Sequence, residues 1–285
     1  MHEHPSWTPG PLSCRRGRAF AFDPGTRRIP ADREAGGRGG RRRTQGLKTL
    51  AVWSSVLAVS CAGPGASPES RAVSYLAREV PDWSVRNRCF SCHNNGDAAR
   101  ALFAARENAL WFDPRSLDST ARWLAEPDAW KKAGPPGETS DPKLATLQFA
   151  FALSSAGAAD TPGAARAREL LLGHQEPDGS FGADSGGLAG SPVTYGRTLA
   201  TVVARRVLAQ GGAAFREALA RADGWLRERN PVTVLDAAAL LIAPCGARQR
   251  ERCLGVIRKG EDPGGGWGPY VTSAPEIFDT ALVLL

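Results

Sequence analysis

The octapeptide Gln175-Glu176-Pro177-Asp178-Gly179-Ser180-Phe181-Gly182 aligns without gaps on Glu261-Asp262-Pro263-Gly264-Gly265-Gly266-Trp267-Gly268, 86 residues later. A chain that repeats a turn at a long interval repeats the elements around it, so this pair constrains the fold more than any local pattern. Each copy follows a helical stretch, residues 164–173 in one case and 254–259 in the other. Each precedes a glycine-rich loop and a further helix, starting near Tyr195-Gly196-Arg197-Thr198 and near Ile277-Phe278-Asp279-Thr280. A similar helix start, Val234-Leu235-Asp236-Ala237, stands between them, 43 residues before Asp279. The spacing predicts helix pairs of about 40–50 residues, with the long interval spanning two of them. From Leu144 onward the chain is rich in Ala and Leu, its helical runs are broken by Gly and Pro, and strand signals are sparse. The expected fold class is all-α, built of helix-pair repeats.

The residue types within each copy suit architecture rather than catalysis. Asp-Gly sets a tight turn, a Gln side chain can bond the exposed peptide groups of a helix end, and the aromatic ring covers the turn. Asp236 and Asp279 recur at helix starts, where a carboxylate complements the helix dipole, and are expected to be caps. A helix ending in Q-x-x-D-G-S-F/W-G resembles the QW repeat of squalene–hopene cyclases and the related prenyltransferase β-subunits. The resemblance covers roughly residues 140–285. It implies an α/α toroid with inner and outer rings of helices, the repeat elements tying the outer helices together, and an apolar or isoprenoid ligand in an aromatic-lined cavity. Two departures bear on activity. The D-x-D-D acid motif of the cyclases does not occur, and no His follows His174 to complete the Asp/Cys/His zinc site of the prenyltransferases. Enzyme activity is left open and no catalytic residue is assigned. A closed toroid needs more helix pairs than this chain supplies, so the resemblance implies an open or truncated arc.

Cys89-Phe90-Ser91-Cys92-His93 is a C-x-x-C-H, the pattern that carries a covalent haem c through two thioethers, with the adjacent His as iron ligand. Two thiols three residues apart reach the two vinyl groups of one macrocycle, and the following His is brought beneath the iron. A structural zinc site needs four protein ligands, and no second C-x-x-C or H-x₃₋₅-H supplies them. Met1, the only Met, lies in the leader, so His/Met ligation is excluded from the visible chain. His174 is the remaining His of the mature region and the candidate distal ligand; otherwise the sixth position is open, or filled by Asn94, Asn95 or a Lys. Cys245 and Cys253 flank a turn between two expected helices and could form a short-loop disulfide in an oxidising compartment.

Residues 1–61 read as a leader. The first 46 are rich in Gly, Pro and Arg without apolar periodicity and are not expected to pack a core. Lys48, the apolar run from Leu50 to Val59, and then Ser60-Cys61-Ala62-Gly63 make the basic flank, short core and small-residue break of a secretory signal. The run is short for a membrane span. Leu57-Ala58-Val59-Ser60-Cys61 resembles a bacterial lipobox, which implies lipidation of Cys61; an ordinary signal peptide with an incidental Cys is the alternative. Residues 1–48 hold eleven basic and four acidic residues and so carry the whole net charge of +7, while the rest of the chain is balanced. A nucleic-acid-binding face is therefore not expected. Residues 62–70 read as a linker, 71–140 as a helical region around the haem motif, and 141–285 as the repeat domain.

Together these features predict an exported, periplasmic or lipid-anchored haem protein for electron transfer with a redox partner protein, or for redox sensing. The alternatives are a terpenoid cyclase or prenyltransferase relative acting on an isoprenoid, and a non-catalytic binding module in which Cys89 and Cys92 form a disulfide.

Overall fold

A computed structural model of the chain describes residues 67–132, 141–182 and 195–285, all within one compact unit, Gly63–Leu285. The leader, the apolar run and Cys61 lie outside the described residues.

The described chain is all-helical. Its one extended pairing is an isolated antiparallel bridge between Gln175 and Phe181. Helix α1 (Pro68–Asn87) begins inside the stretch expected to be a linker. Ser67 caps it, accepting the Ser70 amide at 3.2 Å, with Pro68 at the first helical position and Glu69 in the first turn. These are standard start signals, and they explain why the segment is not extended. Helices α2 (Ala99–Glu107) and α3 (Asp118–Leu124) follow, inside the region expected to be helical.

Seven further α-helices follow among the described residues: α4 (Pro142–Ser155), α5 (Pro162–Leu172), α6 (Gly196–Ala209), α7 (Arg216–Glu228), α8 (Val234–Ile242), α9 (Ala247–Gly260) and α10 (Ile277–Leu284). They form two rows. Helices α4, α6, α8 and α10 pack in succession, while α5, α7 and α9 each lie against the helix before them. Burial follows the rows. In α4 the run Leu147–Leu153 is buried without interruption, and in α6 the run Thr198–Ala204 likewise. By contrast, α7 buries only Ala218, Ala222 and Leu226, spaced at i, i+4, i+8. A helix apolar all round belongs inside, and one with a single stripe belongs at the edge. The regions 71–140 and 141–285 share one hydrophobic core, with Leu102, Phe103 and Leu124 joining Leu147, Phe149 and Leu153.

The repeat turns do what their residues suggest. Gln175 Nε2 donates to the carbonyls of Gly179 (3.0 Å) and of Ala218 near the start of α7 (2.9 Å), and Arg221 donates to its Oε1. Asp178 Oδ1 accepts from the amide (2.9 Å) and hydroxyl (2.6 Å) of Ser180. Gly179 has φ +93°, and a Cβ there would stand 2.5 Å from the Arg221 carbonyl, so the turn can lie against α7 only as glycine. A second tie was not legible in sequence. Gln249 of α9 is buried and donates to the carbonyls of Leu226 (2.8 Å) and Arg229 (2.9 Å) at the other end of α7.

Candidate functional site

The C-x-x-C-H segment lies between helices of different pitch. After α1, Arg88 adopts a left-handed conformation (φ 54°) that turns the chain toward Cys89. Residues Cys92–Ala98 then form a wide π-helical turn that runs directly into α2. Ser91 caps it, its hydroxyl accepting the amides of His93 (3.2 Å) and Asn94 (3.4 Å). Single π turns are uncommon and recur at functional sites.

Two polar side chains fix this turn. Asn95 is fully buried: its Oδ1 accepts the Ser91 amide at 3.0 Å, and its Nδ2 donates to the Val80 carbonyl of α1 (3.1 Å) and to Thr120 Oγ1 of α3 (2.9 Å). Asp97 reaches into the helical rows, accepting from Gln148 Nε2 of α4 (2.6 Å) and from the Tyr195 hydroxyl (2.7 Å), with Arg100 3.6 Å away. Sequence reasoning offered Asn95 as an iron ligand. Both ends of its side chain are engaged in holding α1, α3 and the motif together, so it is an anchor instead. Nothing in the chain marks Asp97, Gln148 and Tyr195 as partners, because they stand 51 and 98 residues apart.

Burial governs the ionisation of the motif. It pushes the Cys92 thiol up to about 11, with the Asp97 charge adding to the effect, so the sulfur is protonated at neutral pH. Burial lowers the His93 imidazole below its ordinary value, partly offset by Asp97, which keeps the ring neutral near pH 7. Asp97 is itself raised by burial, against the opposing pull of Arg100, Tyr195 and Gln148. Cys92 Sγ lies 3.9 Å from His93 Nδ1.

These residues fit a covalent haem. Cys89 and Cys92 are half-buried and neither is in a disulfide. A neutral imidazole is the form that ligates iron. Aromatic surface adjoins the motif: Phe90 stacks on Trp123 (4.3 Å), which meets Phe149 edge-on (4.5 Å) and Trp130 at 6.2 Å. The buried indole N–H groups of Trp83 and Trp130 have no hydrogen-bond partner among the described residues.

His174 is half-buried just beyond α5, its pKa lowered by burial and then by Lys143. The carboxylate of Asp141, the cap of α4, acts on both Cys92 and His174. Cys245 and Cys253 are both reduced in the structure, Cys253 fully buried and raised to about 11 by that burial. Asp236 is the expected cap: it completes a capping box with Thr233 and also accepts from Thr198. Asp279 is not. The amide it would need, that of Glu276, donates instead to the Trp267 carbonyl at 2.9 Å. Its carboxyl is left buried with no hydrogen-bond partner, and burial, then the Glu276 charge, raise it to about 6.

A cavity of about 710 Å³ opens beside helices α6, α8 and α10. Buried Tyr195 and Leu199 line it, together with Val202, Val203, Leu241 and Phe278, and three arginines, Arg100, Arg206 and Arg250, border it. Tyr195 and Arg100 thus face the cavity and also touch Asp97 of the motif turn. Among the described residues no cluster of three or more His, Cys, Asp or Glu side chains could hold a metal ion, and no helix is long and apolar enough to cross a membrane. The chain matches no protein-family model, no curated protein and no solved structure.

Proposed function

We propose that this is an exported c-type haem protein, carrying one haem on Cys89, Cys92 and His93 beside a squalene-cyclase-like helical repeat domain, and acting in electron transfer or redox sensing. Export follows from the signal-like segment, with anchoring through Cys61 and a redox partner protein as parts of the same reading. The observation that carries it is the C-x-x-C-H itself, pinned by Asn95 with both sulfurs outside any disulfide and with a neutral His93. Bound there, haem would supply a one-electron couple whose potential depends on its ligands and surroundings. The chain's own part is to hold the ring of His93 and the two sulfurs on one short turn, with His174 as the distal candidate. The two rows of helices and the glutamine ties between α5, α7 and α9 support the toroid reading.

The test is a pyridine-haemochrome spectrum of the protein from residue 62 onward, exported in a host with c-type haem maturation. A c-type α-band that survives acid–acetone extraction and disappears in Cys89→Ser/Cys92→Ser is the expected result. No retained band would sink the proposal. The cavity favours a second reading, in which the repeat domain binds an apolar or isoprenoid molecule; turnover of a polyprenyl substrate would make it a cyclase or transferase relative.

A further inference from the structure

The cavity beside α6, α8 and α10 combines two chemistries. Its wall is aliphatic and aromatic: Leu199, Val202 and Val203 of α6, Leu241 of α8, Phe278 and Leu282 of α10. Its volume of about 710 Å³ is within the range of small-molecule sites, about 300–1,000 Å³. Arginines come to its edge from three different helices, Arg100 from α2, Arg206 from α6 and Arg250 from α9. Among the described residues no Asp or Glu side chain lines it.

The arginines are incompletely engaged by the protein. Arg206 and Arg250 are exposed, and neither forms an ion pair among the described residues. Arg100 is half-buried, 3.6 Å from Asp97, and its Nε is buried without a hydrogen-bond partner. The guanidinium groups of Arg100 and Arg206 both lie over the Phe151 ring, at 4.4 and 5.6 Å from its centre, so one aromatic ring engages two like charges. Guanidinium forks match a carboxylate in geometry as well as in charge. A neutral hydrocarbon would use the wall and leave this rim unmatched.

We infer that the cavity binds a single-chain amphiphile with a carboxylate head, its tail along Leu199, Val202, Val203 and Leu241 and its head toward Arg206, Arg250 and Arg100. This rests on the apolar-ligand reading of the cavity and is independent of haem. It also brings the ligand to the edge of the motif's hydrogen-bond network, since Arg100 and Tyr195 adjoin Asp97.

Calorimetric titration of the delipidated full chain with palmitate and with hexadecanol, each below its aggregation concentration, tests the inference. Palmitate is expected to bind at least tenfold more tightly than hexadecanol. Arg206→Gln/Arg250→Gln, two changes at exposed side chains, should weaken palmitate about tenfold and leave hexadecanol unchanged. Equal binding of the two probes, or equal loss of both in the variant, overturns the carboxylate class while the apolar-ligand reading survives. Absence of binding by either probe to the wild-type chain overturns both.

Discussion

The two repeat turns keep the same latch and differ in what surrounds it. In the first, the Phe181 amide donates to Thr201 Oγ1 of α6; in the second, the Trp267 amide donates to Thr280 Oγ1 of α10, both at 2.9 Å. The intervening loops differ, since the aromatic and its threonine are 20 residues apart in one copy and 13 in the other. The aromatic rings also differ in role. Phe181 is fully buried, whereas Trp267 is half-buried and donates its indole N–H to the Ile257 carbonyl at 2.9 Å. Only the first copy has the glutamine tie to a following helix of the outer row; Glu261 in the second is exposed. The latch is kept in both copies, while the tie accompanies the glutamine.

The largest test of that comparison is truncation of the two rings. Phe181→Ala should cost about 3–5 kcal/mol of unfolding free energy, and Trp267→Ala on the order of 1–3 kcal/mol, measured by urea denaturation. Equal losses would mean that burial does not separate the copies.

Asp279 marks a second difference. With Thr201 and Thr280 in the same role, Ala200 stands in the first copy where Asp279 stands in the second, and both positions are buried. The folded-state value of about 6 lies above the ordinary 3.8, so the folded protein binds the proton more tightly than the unfolded chain. Stability from this group is therefore full below about pH 4 and is lost as pH rises through about 6. Asp279→Ala should raise stability at pH 8 by about 1–3 kcal/mol and gain little at pH 4. A thermal-melt series across that range that keeps the wild-type slope in the variant would remove Asp279 as its source.

Gln175→Ala should destabilise by about 1–3 kcal/mol, since it leaves buried-side acceptors and the Arg221 donor unmatched. Glu261→Ala should stay within about 0.5 kcal/mol. Thr201→Val and Thr280→Val should each cost about 1–2 kcal/mol, by similar amounts, because each hydroxyl accepts from a turn amide and donates to a carbonyl. A clear inequality would show that the shared geometry hides unequal packing.

Local signals carried much of this fold. Helix starts at Val234 and Ile277, the Asp-Gly turn and the capping role of Asp236 were legible because each depends on neighbours within a few residues. The start of α1 was present in Ser67-Pro68-Glu69 but obscured by the Pro, Gly and Ser around it, which resemble a linker in composition. The motif was visible as spacing, yet its anchors were not. Asn95 binds α1 and α3, Asp97 binds Gln148 and Tyr195, and Gln249 binds the end of α7, all through contacts the fold creates. Asp279 looked like Asp236 because both follow a helix start. They differ in the cap residue, Thr233 against Glu276, and in whether the cap's amide already donates elsewhere, and only the first of these is written in the sequence.

The π turn at Cys92–Ala98 acts as a phase adjuster. It and α2 are one continuous helical path with two pitches, so the number of residues in the wide turn sets the compass bearing of Cys92 and His93 relative to the core-facing side of α2. Each residue of an α-helix turns the chain by about 100°. Removing a single residue between His93 and Ala98 would swing the sulfur and imidazole by about that angle while leaving every residue of the C-x-x-C-H in place. The motif's spelling would survive and its aim would not.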